Sequence, residues 1–235
     1  MNVLFLVPLV CMIVIYMISF QDGKQVCDNY ILVSYLYTLF YLSLVACGVK
    51  ASMDNKWWNM SIMSFIGLFI STIAVQLIML STPREYMALK HVLSVVFSLL
   101  LSLIISSAFV WYAPSSIVMA LVATMILFVS LTILAWKFQE YISSKVTLTL
   151  LILFVTLIVS EFFIGMYFPN TLLEKGIILV VLMAISYLVL VKTKRMIENE
   201  KKCESEGPDY VTEGTGLMLT FENLFLQLLR TKKLK

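Results

Sequence analysis

Long apolar runs alternate with short polar gaps along most of this chain. The runs fall at residues 3–20, 30–49, 58–81, 92–112, 115–136, 146–168 and 174–191. A helix of about 20 apolar residues crosses the ~30 Å hydrocarbon layer of a bilayer. Open strands leave their backbone unsatisfied in lipid. The pattern therefore predicts an all-α polytopic transmembrane helix bundle with seven membrane-spanning helices. Turn residues sit between the runs at Pro83, Pro114 and Pro169-Asn170. The first run lacks the basic n-region and small-residue cleavage site of a signal peptide. Residues 1–20 are thus expected as a retained hydrophobic helix, with a signal-like leader as the alternative. The bundle follows at 21–192, then a polar cytosolic linker at 193–210, and a closing segment at 211–235.

The closing segment is apolar but broken by Glu213, Thr220, Glu222, Asn223 and Gln227. Ionisable groups at membrane depth cost several kcal/mol and face a protein interior or a wet cavity. An amphipathic helix lying at the membrane surface would instead keep them in water. Arg230, Lys232, Lys233 and Lys235 follow directly. A full crossing would carry those cations to the trans side, so a re-entrant helix is expected here, with an eighth crossing as the alternative.

Composition narrows the class. The 235 residues are 61% hydrophobic and 13% charged, against about 25% charged in soluble domains. This is an integral membrane protein by composition, and its formal net charge of +3 lies in gaps and tail. That distribution speaks to orientation, and no nucleic-acid partner is expected. Basic residues flank every second gap: Arg84 with Lys90 and His91, Lys137 with Lys145, then Lys192, Lys194, Arg195, Lys201 and Lys202. By the positive-inside rule those gaps are cytosolic. Lys50 and Lys56, accompanied by Asp54, fall on the opposite side.

Little chemistry is on offer. The single histidine, His91, opens a helix, and the four aspartates, Asp22, Asp28, Asp54 and Asp209, all lie in gaps. No hydrolytic triad, HExxH or phosphate-binding loop can be assembled. Neither an enzyme nor a cofactor or metal is expected. Cys11, Cys27, Cys47 and Cys203 show no spacing that implies a disulfide framework or zinc site. Asn59-Met60-Ser61 is a glycosylation sequon abutting a membrane helix, and Ser106, Ser107 and Ala108 suit close helix approach. The unusual intramembrane groups are Glu161, Lys192, Thr220, Glu222 and Asn223, the candidate pore or gate residues.

The C-terminal third carries a more specific signal. It reads Val191-Lys192-Thr193, a polar stretch, Asp209-Tyr210, Leu217-Met218-Leu219-Thr220, Asn223-Leu224-Phe225 and Leu228-Leu229. In these residues the chain resembles the Bax-inhibitor family, which includes Golgi anti-apoptotic proteins and herpesvirus and poxvirus membrane proteins. That family closes with a Tyr-Asp-Thr triplet, a short polar loop, Asp/Glu-Tyr, Leu-Tyr-Leu-Asp and Asn-Leu-Phe before Leu-Leu. Asp209, Tyr210, Asn223, Leu224 and Phe225 are the matching motif positions.

The resemblance implies a multi-pass endomembrane protein, of the endoplasmic reticulum or Golgi, that modulates intracellular calcium and apoptosis. Its implied partners are membrane lipids, calcium ions and other membrane proteins. Two carboxylates that share a proton in calcium-leaking members align with Lys192 and Thr220, and a third acidic position aligns with Leu101. An ammonium in place of a carboxylate repels a cation path. Glu222 lies about 200° round the helix from Thr220 and does not directly replace the lost group. With its additional N-terminal run, the chain is closest in character to the viral members. The resemblance thus leaves two functions open, a calcium channel or leak and a non-conducting adaptor that reroutes other membrane proteins.

Overall fold

The computed structural model describes residues 5–21, 24–57, 59–142 and 172–233. Its described residues form helices α1 (Leu6–Ser19), α2 (Tyr30–Asp54), α3 (Ile62–Ser81), α4 (Met87–Phe109), α5 (Pro114–Lys137), α6 (Leu172–Glu206) and α7 (Tyr210–Lys233). A short 3-10 turn at Arg84–Tyr86 leads into α4. Between α1 and α2, the two-residue strands β1 (Phe20–Gln21) and β2 (Lys24–Gln25) pair antiparallel, with Phe20 opposite Gln25.

Local sequence accounts for several helix starts. Ser61 caps α3 by accepting the Ser64 amide at 3.2 Å, which satisfies one of the helix's orphan donors. The serine of the formal sequon therefore serves as a helix cap. Pro114 opens α5, where its missing N–H would have had no intrahelical partner. At the end of α2, Lys50 pairs with Asp54 at 2.9 Å.

Among the described residues, five helices are long and apolar enough to cross a membrane: α2, α3, α4 with its 3-10 turn, α5 and α6. The helical membrane bundle stands, and five of its spans lie among the described residues. Among the described residues, the first run forms the 14 residues of α1, about 21 Å of helix. The run at 146–168 lies outside the described residues. The polar stretch expected as a linker continues α6 as helix to Glu206, so the break between α6 and α7 is confined to 207–209. Falling hydropathy ends a membrane span without ending a helix, because Lys, Arg, Glu and Met are good helix formers.

The chain divides into two compact units, Met1–Trp111 with Asn199–Met218, and Tyr112–Glu198 with Leu219–Lys235. In the first, α2 packs on α1 and α4, and α3 packs on α4. The α2–α4 seam is built from small residues. Ser94, Ser98, Ser102 and Ser106 recur every fourth position on α4 and all are buried. Ser94 donates to the Tyr41 hydroxyl at 2.8 Å, and Ser106 meets Ser52 of α2 at 2.7 Å. A Cβ on Gly48 would lie 2.1 Å from Ser102 Oγ and 2.7 Å from its Cβ. Close approach of this kind is how helices associate where lipid offers no hydrophobic drive.

In the second unit, Ala135 of α5, Ile142 and Val191 of α6 form a buried cluster flanked by Tyr187 and Leu190. Phe128 of α5 meets Phe221 of α7 edge-on at 5.4 Å, the favoured aromatic geometry. The Lys194 ammonium donates to the Ile142 carbonyl and lies 3.7 Å from Glu198. The spans differ in burial: only 11% of the most apolar window of α3 and 17% of that of α5 is buried, against 50% for α2. The exposed remainder is apolar, including Ile62, Met63, Ile70, Met125 and Ile126, as a lipid-facing surface requires.

Candidate functional site

Two of the motif residues, Asp209 and Tyr210, lie at the entrance to α7, in the first unit. Gly207 takes a left-handed φ of 74°, which glycine adopts without steric cost. Its amide donates to the Cys203 carbonyl at 2.8 Å and closes α6, the usual C-terminal device. Pro208 follows, and Asp209 then accepts the Thr212 amide on Oδ1 at 3.4 Å, so it caps α7.

The same carboxylate holds a second role. Its Oδ2 accepts from Lys90 Nζ at 2.8 Å, and Arg84 Nε lies 3.9 Å away. Lys90 is only 3% exposed and also donates to Thr212 Oγ1 at 3.2 Å. A buried ammonium is tolerable only when paired and hydrogen-bonded. Arg84 binds the corner from outside, donating to the Glu206 and Gly207 carbonyls at 3.0 and 3.1 Å and pairing with the Glu206 carboxylate at 3.1 Å.

Tyr210 completes the anchor. It is fully buried, with its ring 5.0 Å from that of Tyr30 and stacked on Tyr37 at 6.0 Å. Its hydroxyl donates to the Val26 carbonyl. Burial, with the Asp28 and Glu200 carboxylates nearby, pushes this phenol up to about 12, so it remains a donor at physiological pH. Tyr37 in turn stacks on His91, shares a 3.2 Å hydrogen bond with its Nε2, and accepts from Gln25 Nε2 at 3.1 Å. His91 thus belongs to an aromatic and polar network rather than to a helix cap. One turn into α7, a Cβ on Gly214 would lie 2.5 Å from Tyr37 Cβ. Asp209 and Tyr210 therefore fasten α7 to α2 and α4.

Cys27 and Cys203 form a disulfide with Cα atoms 5.8 Å apart, a pairing that their spacing in the sequence does not imply. The bond joins the start of α2 to the last turn of α6. Cys11 and Cys47 are free and buried.

Lys192, Thr220, Glu222, Asn223, Leu224 and Phe225 lie in the second unit. In this part of α7, Thr220, Phe221, Glu222 and Leu224 are buried, while Leu219, Asn223 and Leu226 are half-buried and Arg230 is exposed, so at 100° per residue one stripe of the helix is more open than the rest. Both Glu222 carboxylate oxygens are buried with no hydrogen-bond partner among the described residues. Asn223, half-buried, donates to the Leu219 carbonyl at 2.9 Å. Leu224 and Phe225 are buried packing residues. Thr220 is buried, Lys192 is half-buried, and each is engaged by neighbours. Glu161 lies outside the described residues. Among the described residues no cluster of His, Cys, Asp and Glu could hold a metal.

Sequence reasoning found Asp209, Tyr210 and Glu222 but missed Arg84, Lys90, Tyr37 and the cysteine pair as their surroundings. Residues 27–233 match the family model Bax1-I, described as inhibitor of apoptosis-promoting Bax1. No curated protein and no solved structure matches.

Proposed function

The chain belongs to the Bax inhibitor family, and on that premise we propose that it is a calcium-permeable leak of an endomembrane whose path runs past Glu222. It is an integral membrane protein of a family concerned with the regulation of apoptosis. The observation that carries the finer reading is the Glu222 carboxylate, buried with neither oxygen hydrogen-bonded among the described residues. Such a group costs stability, and inside membrane proteins carboxylates of this kind mark ion and proton pathways. An acidic side chain in a low-dielectric setting attracts a divalent cation far more strongly than it would in water.

A second reading has its own support. By the resemblance, Lys192 and Thr220 stand where leak-forming members carry carboxylates, and a cation beside the path opposes conduction. The same bundle would then act as a non-conducting adaptor that binds and reroutes other membrane proteins. Calcium efflux from liposomes containing the purified full chain separates the two. The leak reading expects efflux that Glu222→Gln reduces at least tenfold. Efflux unchanged by Glu222→Gln removes that residue from the path. A native chain that is silent, together with stable capture of host membrane proteins, selects the adaptor.

A further inference from the structure

We propose that Cys27–Cys203 is a reversible thiol–disulfide latch on the cytosolic face, fastening the N-terminal segment to the corner between α6 and α7. This inference stands apart from the leak reading and uses none of its residues.

The face comes first. Cys27 and Arg84 are separated in sequence by α2 and α3, two crossings, which places them on one side of the membrane. Cys203 shares that side, because Arg84 binds Glu206 and Gly207 three and four residues beyond it. Arg84, Lys90, Lys201 and Lys202 cluster in sequence around these same ends. The positive-inside rule assigns such ends to the cytosol. There the glutathione pool keeps thiols reduced, and disulfides that do form are transient and redox-sensing.

The local architecture gives the bond something to control. Two adjacent residues link three parts of the first unit. The Val26 amide donates to the Ser19 carbonyl at the end of α1 at 2.9 Å. The Val26 carbonyl accepts from Tyr210, and Cys27 bonds Cys203. Opening the disulfide leaves the Tyr210 hydrogen bond between Val26 and the corner. The corner itself stays in place, because Lys90 and Arg84 hold Asp209 and Glu206 independently of either cysteine. Reduction therefore loosens the segment from β1 to Cys27 and leaves α7 seated.

Access favours one direction of attack, since Cys27 is half-buried and Cys203 is 2% exposed. A glutathione thiolate attacks Cys27 Sγ, the S–S bond breaks, and Cys203 leaves as a thiolate. A second glutathione thiolate attacks the glutathione sulfur of the mixed disulfide and releases Cys27. The two electrons come from two glutathiones, which leave as glutathione disulfide, and their two protons end on the cysteine sulfurs. Glutathione disulfide drives the reverse reaction.

The test uses sealed microsomes, cytosolic face outward, from cells expressing the full chain. Free thiols are blocked with N-ethylmaleimide at lysis, and those released by reductant are then counted by gel shift with a polymer-linked maleimide. In parallel, intact microsomes are treated with trypsin and cleavage after Lys24 is followed. The expected result is a bonded fraction that rises with diamide and disappears with dithiothreitol, with cleavage at least fivefold faster in the reduced state. Cys203→Ser and Cys27→Ser should each cleave at the reduced rate regardless of oxidant. If either variant misfolds, the native chain switched by reagent alone decides. A bond that never forms, one that stays complete in cells and resists dithiothreitol, cleavage that requires permeabilised microsomes, or cleavage that ignores redox state would each overturn the proposal.

Discussion

Lys90 shows how much of a residue's role depends on a partner far away in sequence. Its position in a basic gap suggests a solvated charge that sets orientation. In the folded chain it is buried against Asp209, 119 residues later. Removing one member of a buried pair leaves the other charge uncompensated, a loss of about 3–5 kcal/mol. Lys90→Ala and Asp209→Ala should each lower the thermal unfolding midpoint of the detergent-solubilised protein, while Lys90→Met with Asp209→Leu recovers most of the loss. If the double variant is as unstable as either single one, the pairing is not what holds this corner. Asp209 and Tyr210 were legible because they match the closing motif of the family that the sequence resembles. Lys90 was not, and neither were the cysteines. Four cysteines allow three complete pairings, and neither the 176-residue separation of Cys27 and Cys203 nor their flanking residues favours one.

Helix positions were readable from hydropathy, whereas helix ends and helix faces were not. The apolar runs at 30–49, 58–81, 92–112 and 115–136 became α2 to α5 with shifted ends. The run at 174–191 became only part of α6, because the polar residues after it are helix formers and the chain meets no breaker until Gly207-Pro208. Polar groups in α7 left open whether they face the protein interior or water; Glu222 and Gln227 are buried, a distinction that periodicity cannot make when the surrounding positions are apolar as well. Small residues on α4 hinted at close packing, and the register of Gly48 against Ser102 makes it testable. Gly48→Ala forces its Cβ into the Ser102 side chain, overpacking that costs about 1–3 kcal/mol. Adding Ser102→Gly removes both clashing atoms and should return part of the stability. Gly67 faces open space, so Gly67→Ala serves as the control and should leave the unfolding midpoint unchanged or slightly raised.

At the scale of the whole molecule, the outer surfaces of α3 and α5 are apolar and suited to lipid, so polarity that is buried has to be justified by something other than solubility. Glu222 is the sharpest case. Replacing an unsatisfied buried polar group by an apolar one of similar shape is neutral or stabilising, while leaving it unsatisfied costs about 1–3 kcal/mol. Glu222→Met should therefore raise the unfolding midpoint, and under the leak reading it should also abolish calcium efflux from liposomes. Natural sequences keep residues that lower stability where activity needs them, and this opposite movement of stability and flux is the signature of such a residue. A gain in stability with efflux intact would place the path elsewhere in the bundle. A loss of stability would mean that the carboxylate has a partner the described residues do not include, and that Glu222 is held for the fold rather than for transport.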